Sequence, residues 1–302
     1  MRRVMDVVRP GRRAAMGSAL AVGGWLASGA PLAWAAPGRR VVSVGGALTE
    51  IAYALEASGD LVGVDSTSLY PSAATKLPNV GYARTLSAEG ILALAPTHIV
   101  ATEDAGPPAV MRQLAAAGVS LSVLAAHHRF EGLLERVDRM GVLLGRPAQA
   151  RQLSARLQAE WASARQAVAR RTESARGAVP RVLFVLSHSP SQVMVAGQET
   201  SAQAMIDYVG ARNAVEGMTG YKPLTSEAVV VSRPDVVLFT DQGLQALGGV
   251  DGALKLPGLA QTPAGRVGRV LSQEAMFLLG FGPRLPAALA ALDGTLRKAL
   301  ST

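Results

Sequence analysis

The chain has 302 residues, of which 49% are hydrophobic and 4% aromatic, with a formal net charge of +8 and no cysteine. That length admits two domains of ordinary size and a sizeable core; the missing cysteine excludes disulfides, thiolate metal ligands and a lipid-bearing cysteine behind an export signal. The first 35 residues hold five of the 30 basic and one of the 22 acidic residues, so the remainder carries 25 against 21, a net +4, which gives no electrostatic case for nucleic acid binding.

Residues 1–35 read as an export signal. Arg2, Arg3, Arg9, Arg12 and Arg13 form a basic front, Ala14 to Leu32 is uncharged and mostly small or apolar, and Ala33-Trp34-Ala35 is an A-x-A cleavage site. Gly17, Gly23, Gly24, Gly29 and Pro31 interrupt the run and disfavour a membrane anchor. Ala14-Ala15 after Arg12-Arg13 departs from the apolar residues of a twin-arginine signal, which favours the general secretory route. No later apolar run reaches the ~18 residues a spanning helix needs. The expected address is the periplasm.

After the signal the chain alternates short apolar strands with helices. Arg40 to Val44 is a strand ending in Gly45-Gly46, Ala47 to Leu55 a helix, and Leu61 to Val64 a strand. A polar loop, Asp65 to Pro71, leads to a turn at Pro78, Asn79 and Gly81 and then to Tyr82-Ala83-Arg84. Read as an extended segment, Tyr82 and Arg84 point to one face and reach one ligand. Ser87-Ala88-Glu89 opens a helix to Leu94, followed by strands at His98–Ala101 and Ser120–Leu124 around a helix at Ala109–Ala117. This alternation predicts an α/β lobe with a mainly parallel sheet over residues 36–126. Phe130, Leu133, Leu134, Val137 and Met140 recur at helical spacing, and Ala148 to Arg171 runs without Gly or Pro, a helix of ~24 residues and ~36 Å. Residues 127–179 are therefore expected to link two lobes. A second α/β lobe spans 180–302, with strands at Arg181–Leu186, Asp235–Phe239 and Arg269–Leu271. Tyr221 to Thr225 reads as a loop, Asp241 to Gly249 as a glycine-rich stretch, and Pro286 to Leu300 as a closing helix.

The lobes repeat one plan. Leu86-Ser87-Ala88-Glu89 precedes Pro96 by seven residues from the acid, and Leu224-Thr225-Ser226-Glu227 precedes Pro234 by the same seven. Each proline leads into a strand, so each lobe carries an acid at the same place.

With an export signal and two α/β lobes joined by a long helix, the mature chain resembles the periplasmic binding proteins of ABC importers for haem, vitamin B12 and ferric siderophores. The resemblance narrows to the hemin-binding branch at Gly81-Tyr82-Ala83-Arg84-Thr85-Leu86-Ser87-Ala88-Glu89-Gly90, at Glu103-Asp104-Ala105-Gly106-Pro107, and from Leu247-Gly248-Gly249-Val250-Asp251-Gly252 to Leu256-Pro257-Gly258-Leu259. It implies a ligand cleft between rigidly linked lobes with small hinge motion, hemin as transported cargo, no catalysis, and delivery by a monomer to a permease dimer in the inner membrane. It implies Tyr82 as axial ligand to haem iron with Arg84 as its neighbour. Ferric iron is a hard Lewis acid and a phenolate oxygen suits it; a phenol of pKa ≈ 10 must lose its proton on binding, which a nearby guanidinium favours. Arg84 can instead pair with a haem propionate. Tyr70, in Ser68-Leu69-Tyr70-Pro71, competes for the ligand role. His188 is a candidate for the far side of the porphyrin, whereas His98 reads as a packed strand residue and His127-His128 as a cap or surface pair. In this importer class one acid on each lobe pairs with permease arginines, which falls to Glu89 and Glu227, with Glu50 as a weaker alternative on the first lobe. Cobalamin or a ferric siderophore is the alternative cargo. The glycine-rich stretches match neither G-x-G-x-x-G nor a P-loop, and Ser187-His188-Ser189 is no nucleophile elbow, which argues against an enzyme.

Overall fold

The structure of the protein, a computed structural model, describes residues 38–125, 127–174, 179–186 and 193–301. The signal expected over residues 1–35 lies outside the described residues.

The first lobe is built on a parallel sheet whose strands lie in the order Leu61–Val64, Val41–Val44, His98–Thr102, Ser120–Leu124. Its central strands are apolar on both faces, as a sheet covered by helices on both sides requires. The register pairs Val42 with Ile99 and Val44 with Ala101. Those four residues share one face and pack on Ile91 and Leu114, in a core private to the lobe. Val41 and Val100 point the other way, toward Leu48, Ile51 and Leu133.

The second sheet has the order Val270–Gln273, Val236–Thr240, Arg181–Val185, Val193–Ala196, Tyr221–Leu224. Its first three strands are parallel and its last two antiparallel. Leu183, Val185, Val237 and Phe239 face a private core, while Val182, Phe184, Val236 and Leu238 face the same cluster that holds Val41 and Val100. One face of each sheet thus abuts a single shared core.

Helices fill that shared core. The linking helix is longer than its sequence suggested, running 28 residues from Pro147 to Ser174, about 42 Å at 1.5 Å per residue. Proline fits its first position because the N–H there lacks an intrahelical partner anyway. Ala150, Leu153, Leu157, Ala164 and Val168 form its buried stripe. The preceding helix, Phe130–Leu143, adds Phe130, Leu133, Val137 and Met140, and the closing helix, Leu285–Ser301, adds Leu285, Leu289, Leu292 and Leu296. At the joint, Trp161 stacks flat on Phe130 with ring centroids 4.7 Å apart and meets Tyr208 edge-on, also at 4.7 Å. The Tyr208 hydroxyl accepts the Phe130 backbone N–H at 3.1 Å. The described residues form one compact unit, because the linker is packed on both lobes rather than strung between them. No helix among the described residues is long and apolar enough to cross a membrane.

Candidate ligand-binding cleft

A cleft of about 520 Å³ opens between the lobes, within the range of small-molecule and cofactor sites. Its first-lobe rim is the loop that carries Tyr82. Asn79 Oδ1 accepts the Gly81 N–H at 2.8 Å, Gly81 turns the chain at φ 93°, and its carbonyl accepts from Ser66 N at 2.9 Å; glycine suits that φ because it lacks a Cβ. Tyr82 is extended (φ −80°, ψ 135°) and caps a short 3₁₀ turn, Ala83–Thr85. The segment is thus not extended throughout, and the turn, rather than strand alternation, brings Tyr82 and Arg84 to one cleft.

The second signature segment is zipped to the first. Gly106 N donates to Ala83 O and Leu86 N to Gly106 O, both at 2.8 Å. This brings Asp104 under Arg84, whose Nε and Nη2 each donate to Asp104 Oδ2 at 2.9 Å. Burial opposes ionisation of Asp104, but hydrogen bonds from Thr102 and Arg84 and the guanidinium charge outweigh it and hold the carboxyl below its usual value. Arg84 is likewise shifted up: burial opposes this, and the Asp104 hydrogen bond together with the charges of Tyr82 and Asp104 outweighs it. Tyr82 remains 46% exposed.

The opposite wall comes from the second lobe. Tyr221 opens the edge strand Tyr221–Leu224, read as a loop from sequence. Its hydroxyl lies 3.5 Å from Ser201 Oγ, at the start of the helix Ser201–Tyr208 capped by Thr200. Burial pushes this phenol up from its usual value, against the hydrogen bond to Ser201 and the charge of Arg84. Of the two cleft tyrosines, Tyr82 is the exposed one beside its own arginine, and Tyr221 is held neutral.

Met276, Leu279 and Phe281 give the cleft an apolar side, and Gly45-Gly46 gives it a backbone floor. That floor is held by Asp65, 1% exposed, whose carboxylate accepts from Gly45 N, Ser68 Oγ, and Thr67 N and Oγ1 at 2.7–3.1 Å. At the deep end, Arg136, 4% exposed, donates to Glu103 at 2.9 Å and to the Leu124 carbonyl at 3.1 Å. His128 also lines the cleft, edge-on to Phe281 at 5.7 Å, with Nδ1 buried and without a hydrogen-bond partner. Burial lowers its pKa, so the imidazole is neutral. Both His127 and His128 have positive φ, 53° and 48°, which turns the chain so that His128 faces the cleft. Sequence reading saw only a cap or surface pair there and assigned no role to Asp104, Arg136 or Tyr221.

The other candidates lie elsewhere. Tyr70, half exposed, is not among the residues lining the cleft; its ring lies 4.1 Å from the Arg284 guanidinium. Arg284 binds Glu50 through two hydrogen bonds of 2.6 and 3.0 Å and Glu274 at 3.3 Å. Glu50 is 6% exposed and already paired, so it is unavailable to a partner protein. His98 Nδ1 contacts Thr97 Oγ1 at 2.9 Å, in keeping with a packed strand residue. His188 lies outside the described residues. Among the described residues, no three His, Cys, Asp or Glu gather as a metal-ion site.

Glu89 and Glu227 sit in the first turns of matching short helices, Ala88–Leu92 and Ser226–Ser232. Ser87 and Thr225 cap them through their hydroxyls. Both acids are exposed, and neither makes an ion pair among the described residues. Its own backbone amide, then the Thr225 and Ser226 hydroxyls, hold the Glu227 carboxyl below its usual value.

Comparison with known proteins agrees with this architecture. A family model described as "Periplasmic binding protein" matches residues 41–275. The periplasmic heme-binding protein BhuT, solved with two hemes, is 46% identical with a TM-score of 0.82, over 87% of this chain and 99% of that one. The periplasmic heme-binding protein RhuT from Roseiflexus sp. RS-1, in apo form, is 41% identical with the same TM-score and the same coverage. The vitamin B12-binding protein of Photorhabdus laumondii is 24% identical over 208 residues, 68% of this chain and 72% of that protein.

Proposed function

The chain belongs to the periplasmic binding protein family, and we propose that it carries hemin in the cleft between its lobes and hands it to an ABC permease. The observation that carries this reading is the placement of Tyr82: an exposed phenol on the cleft rim beside Arg84, in a chain 46% identical to a heme-binding protein. In this account the Tyr82 phenol gives up its proton and its oxygen becomes the axial donor to ferric iron. Arg84 shares the rim with Tyr82, its guanidinium paired with Asp104. Met276 and Leu279 supply apolar contact for the porphyrin face, with Phe281 buried behind them. The far side of the iron falls to the second lobe, for which His188 is the candidate from sequence. Tyr70 is the reserve for the ligand role, and its stacking on Arg284 favours a structural one.

Export through a cleaved signal at residues 1–35, a periplasmic address and a monomeric carrier complete the reading. Glu89 and Glu227 are the two docking points for arginines of a permease dimer, supported by their exposure and their matching helices. Mass spectrometry of the exported protein tests the signal: an N-terminus at Ala36 is expected, and an intact Met1 contradicts it.

The similarity to vitamin B12-binding proteins keeps cobalamin as a second reading. Titration of the mature protein with hemin and with cyanocobalamin separates them. Saturable hemin binding at least a hundredfold tighter than cobalamin is expected; the reverse order overturns the hemin assignment.

A further inference from the structure

The two acid-bearing helices match in position and differ in what surrounds the acid. In the first lobe, the residues three and four after Glu89 are Leu92, half-buried, and Ala93, exposed. In the second lobe the corresponding residues are Val230, half-buried, and Val231, 76% exposed. Val231 borders a groove of about 350 Å³ formed with Glu227, Gly258 and Gln261. The groove floor is backbone on backbone. A Cβ on Gly258, which sits at φ 80°, would fall 2.4 Å from the Ser226 carbonyl oxygen. Gly258 therefore packs main chain against main chain on Ser226, and the Glu227, Val231 and Gln261 side chains form the walls. The Glu227 carboxylate, exposed and without an ion pair among the described residues, stands at the rim.

We infer that the second lobe meets the permease through a mixed contact, with Glu227 taking an arginine and the Val231 groove taking an apolar side chain next to that arginine, while the first lobe docks through Glu89 by charge alone. This inference rests on the docking reading above and gives it a direction: the second lobe carries most of the affinity. Exposed ion pairs contribute little and are screened by salt, whereas burial of an exposed valine is insensitive to screening. The partner is fixed by complementarity. An anion beside an apolar groove suits a guanidinium flanked by an aliphatic or aromatic side chain, and a purely basic surface leaves the groove unfilled.

The test measures binding of the full mature, hemin-loaded protein to the permease complex in lipid nanodiscs, at low and at high salt. Val231→Ser is expected to weaken binding about tenfold, with the same ratio at both salt concentrations. Ala93→Ser is expected to change it less than about twofold. Glu227→Lys and Glu89→Lys are expected to weaken it at low salt, with a smaller effect at high salt. Each variant should retain the wild-type hemin titration, since none lines the cleft. If both Lys variants bind like wild type, the docking reading fails and this inference with it. If the Lys variants weaken binding and Val231→Ser matches wild type, the docking reading stands and the groove assignment is overturned. Sedimentation without permease provides the remaining arm: a wild-type dimer abolished by Val231→Ser would assign the groove to a second copy of this chain and overturn the inference.

Discussion

The cleft rim and the joint behind it solve opposite problems with similar residues. At the rim, Arg84 is 62% exposed and shares one carboxylate oxygen of Asp104. At the joint, the Arg284 side chain is 22% exposed and clamps the buried Glu50 carboxylate with two hydrogen bonds between the Tyr70 and Phe277 rings. An exposed pair adds little stability but can reorganise around a ligand. A buried pair cannot lose one member without leaving an uncompensated charge. The contrast teaches that the molecule keeps its proposed ligand loop apart from the contacts that make it rigid. The Tyr82 loop is held by local backbone hydrogen bonds, and the lobes are held by a core they share.

Variants sharpen this separation. Arg284→Ala should have the largest effect on folding, about 3 kcal/mol or more in denaturant unfolding, because it leaves Glu50 buried and unpaired. Burial already raises the Glu50 pKa against the hydrogen bond and charge of Arg284; without Arg284 the raised direction is reinforced. A carboxyl with a raised folded pKa contributes stability fully present below its unfolded value, about 4.3, and lost as pH rises through the folded value. The Arg284→Ala defect should therefore be smaller near pH 5 than at pH 7. A pH-independent defect would break the comparison.

Tyr82→Ala should do the reverse, losing about a hundredfold in hemin affinity, ~2.7 kcal/mol, with a melting temperature close to wild type. Tyr221→Phe should leave hemin affinity within about threefold, since its neutral phenol serves the second-lobe wall. Burial raises the Tyr221 pKa, so its contribution is full below pH ~10 and is lost as pH rises through the folded value; melting curves of Tyr221→Phe should fall less steeply above that pH. The smallest effect is expected from Asp104→Asn, under about 1 kcal/mol for so exposed a pair. The Asp104 pKa is depressed, so the difference from wild type should be present above pH ~4 and vanish as pH falls through the folded value.

Much of this was legible in the sequence because its signals are local. The linking helix shows itself through a long run without Gly or Pro, and the paired acids through a repeated spacing. What was not legible depends on distant partners. Tyr221–Leu224 carries Pro223 and no apolar alternation, and it becomes a strand only by pairing with Val193–Ala196 at the sheet edge. Asp241–Ala246 folds as a helix despite Gly243, because Thr240 caps it. The Arg84–Asp104 pair joins residues 20 apart through a loop-to-loop zipper that no spacing rule predicts. His128 reaches the cleft only because two successive residues adopt left-handed backbone.

The most direct test is a parallel absorbance titration of the wild type and Tyr82→Ala with hemin. The account predicts a saturable Soret shift with a tyrosinate-to-iron charge-transfer band in the wild type, and loss of that band in the variant while the fold is retained. A variant spectrum identical to wild type would contradict the assignment of Tyr82 as the iron ligand.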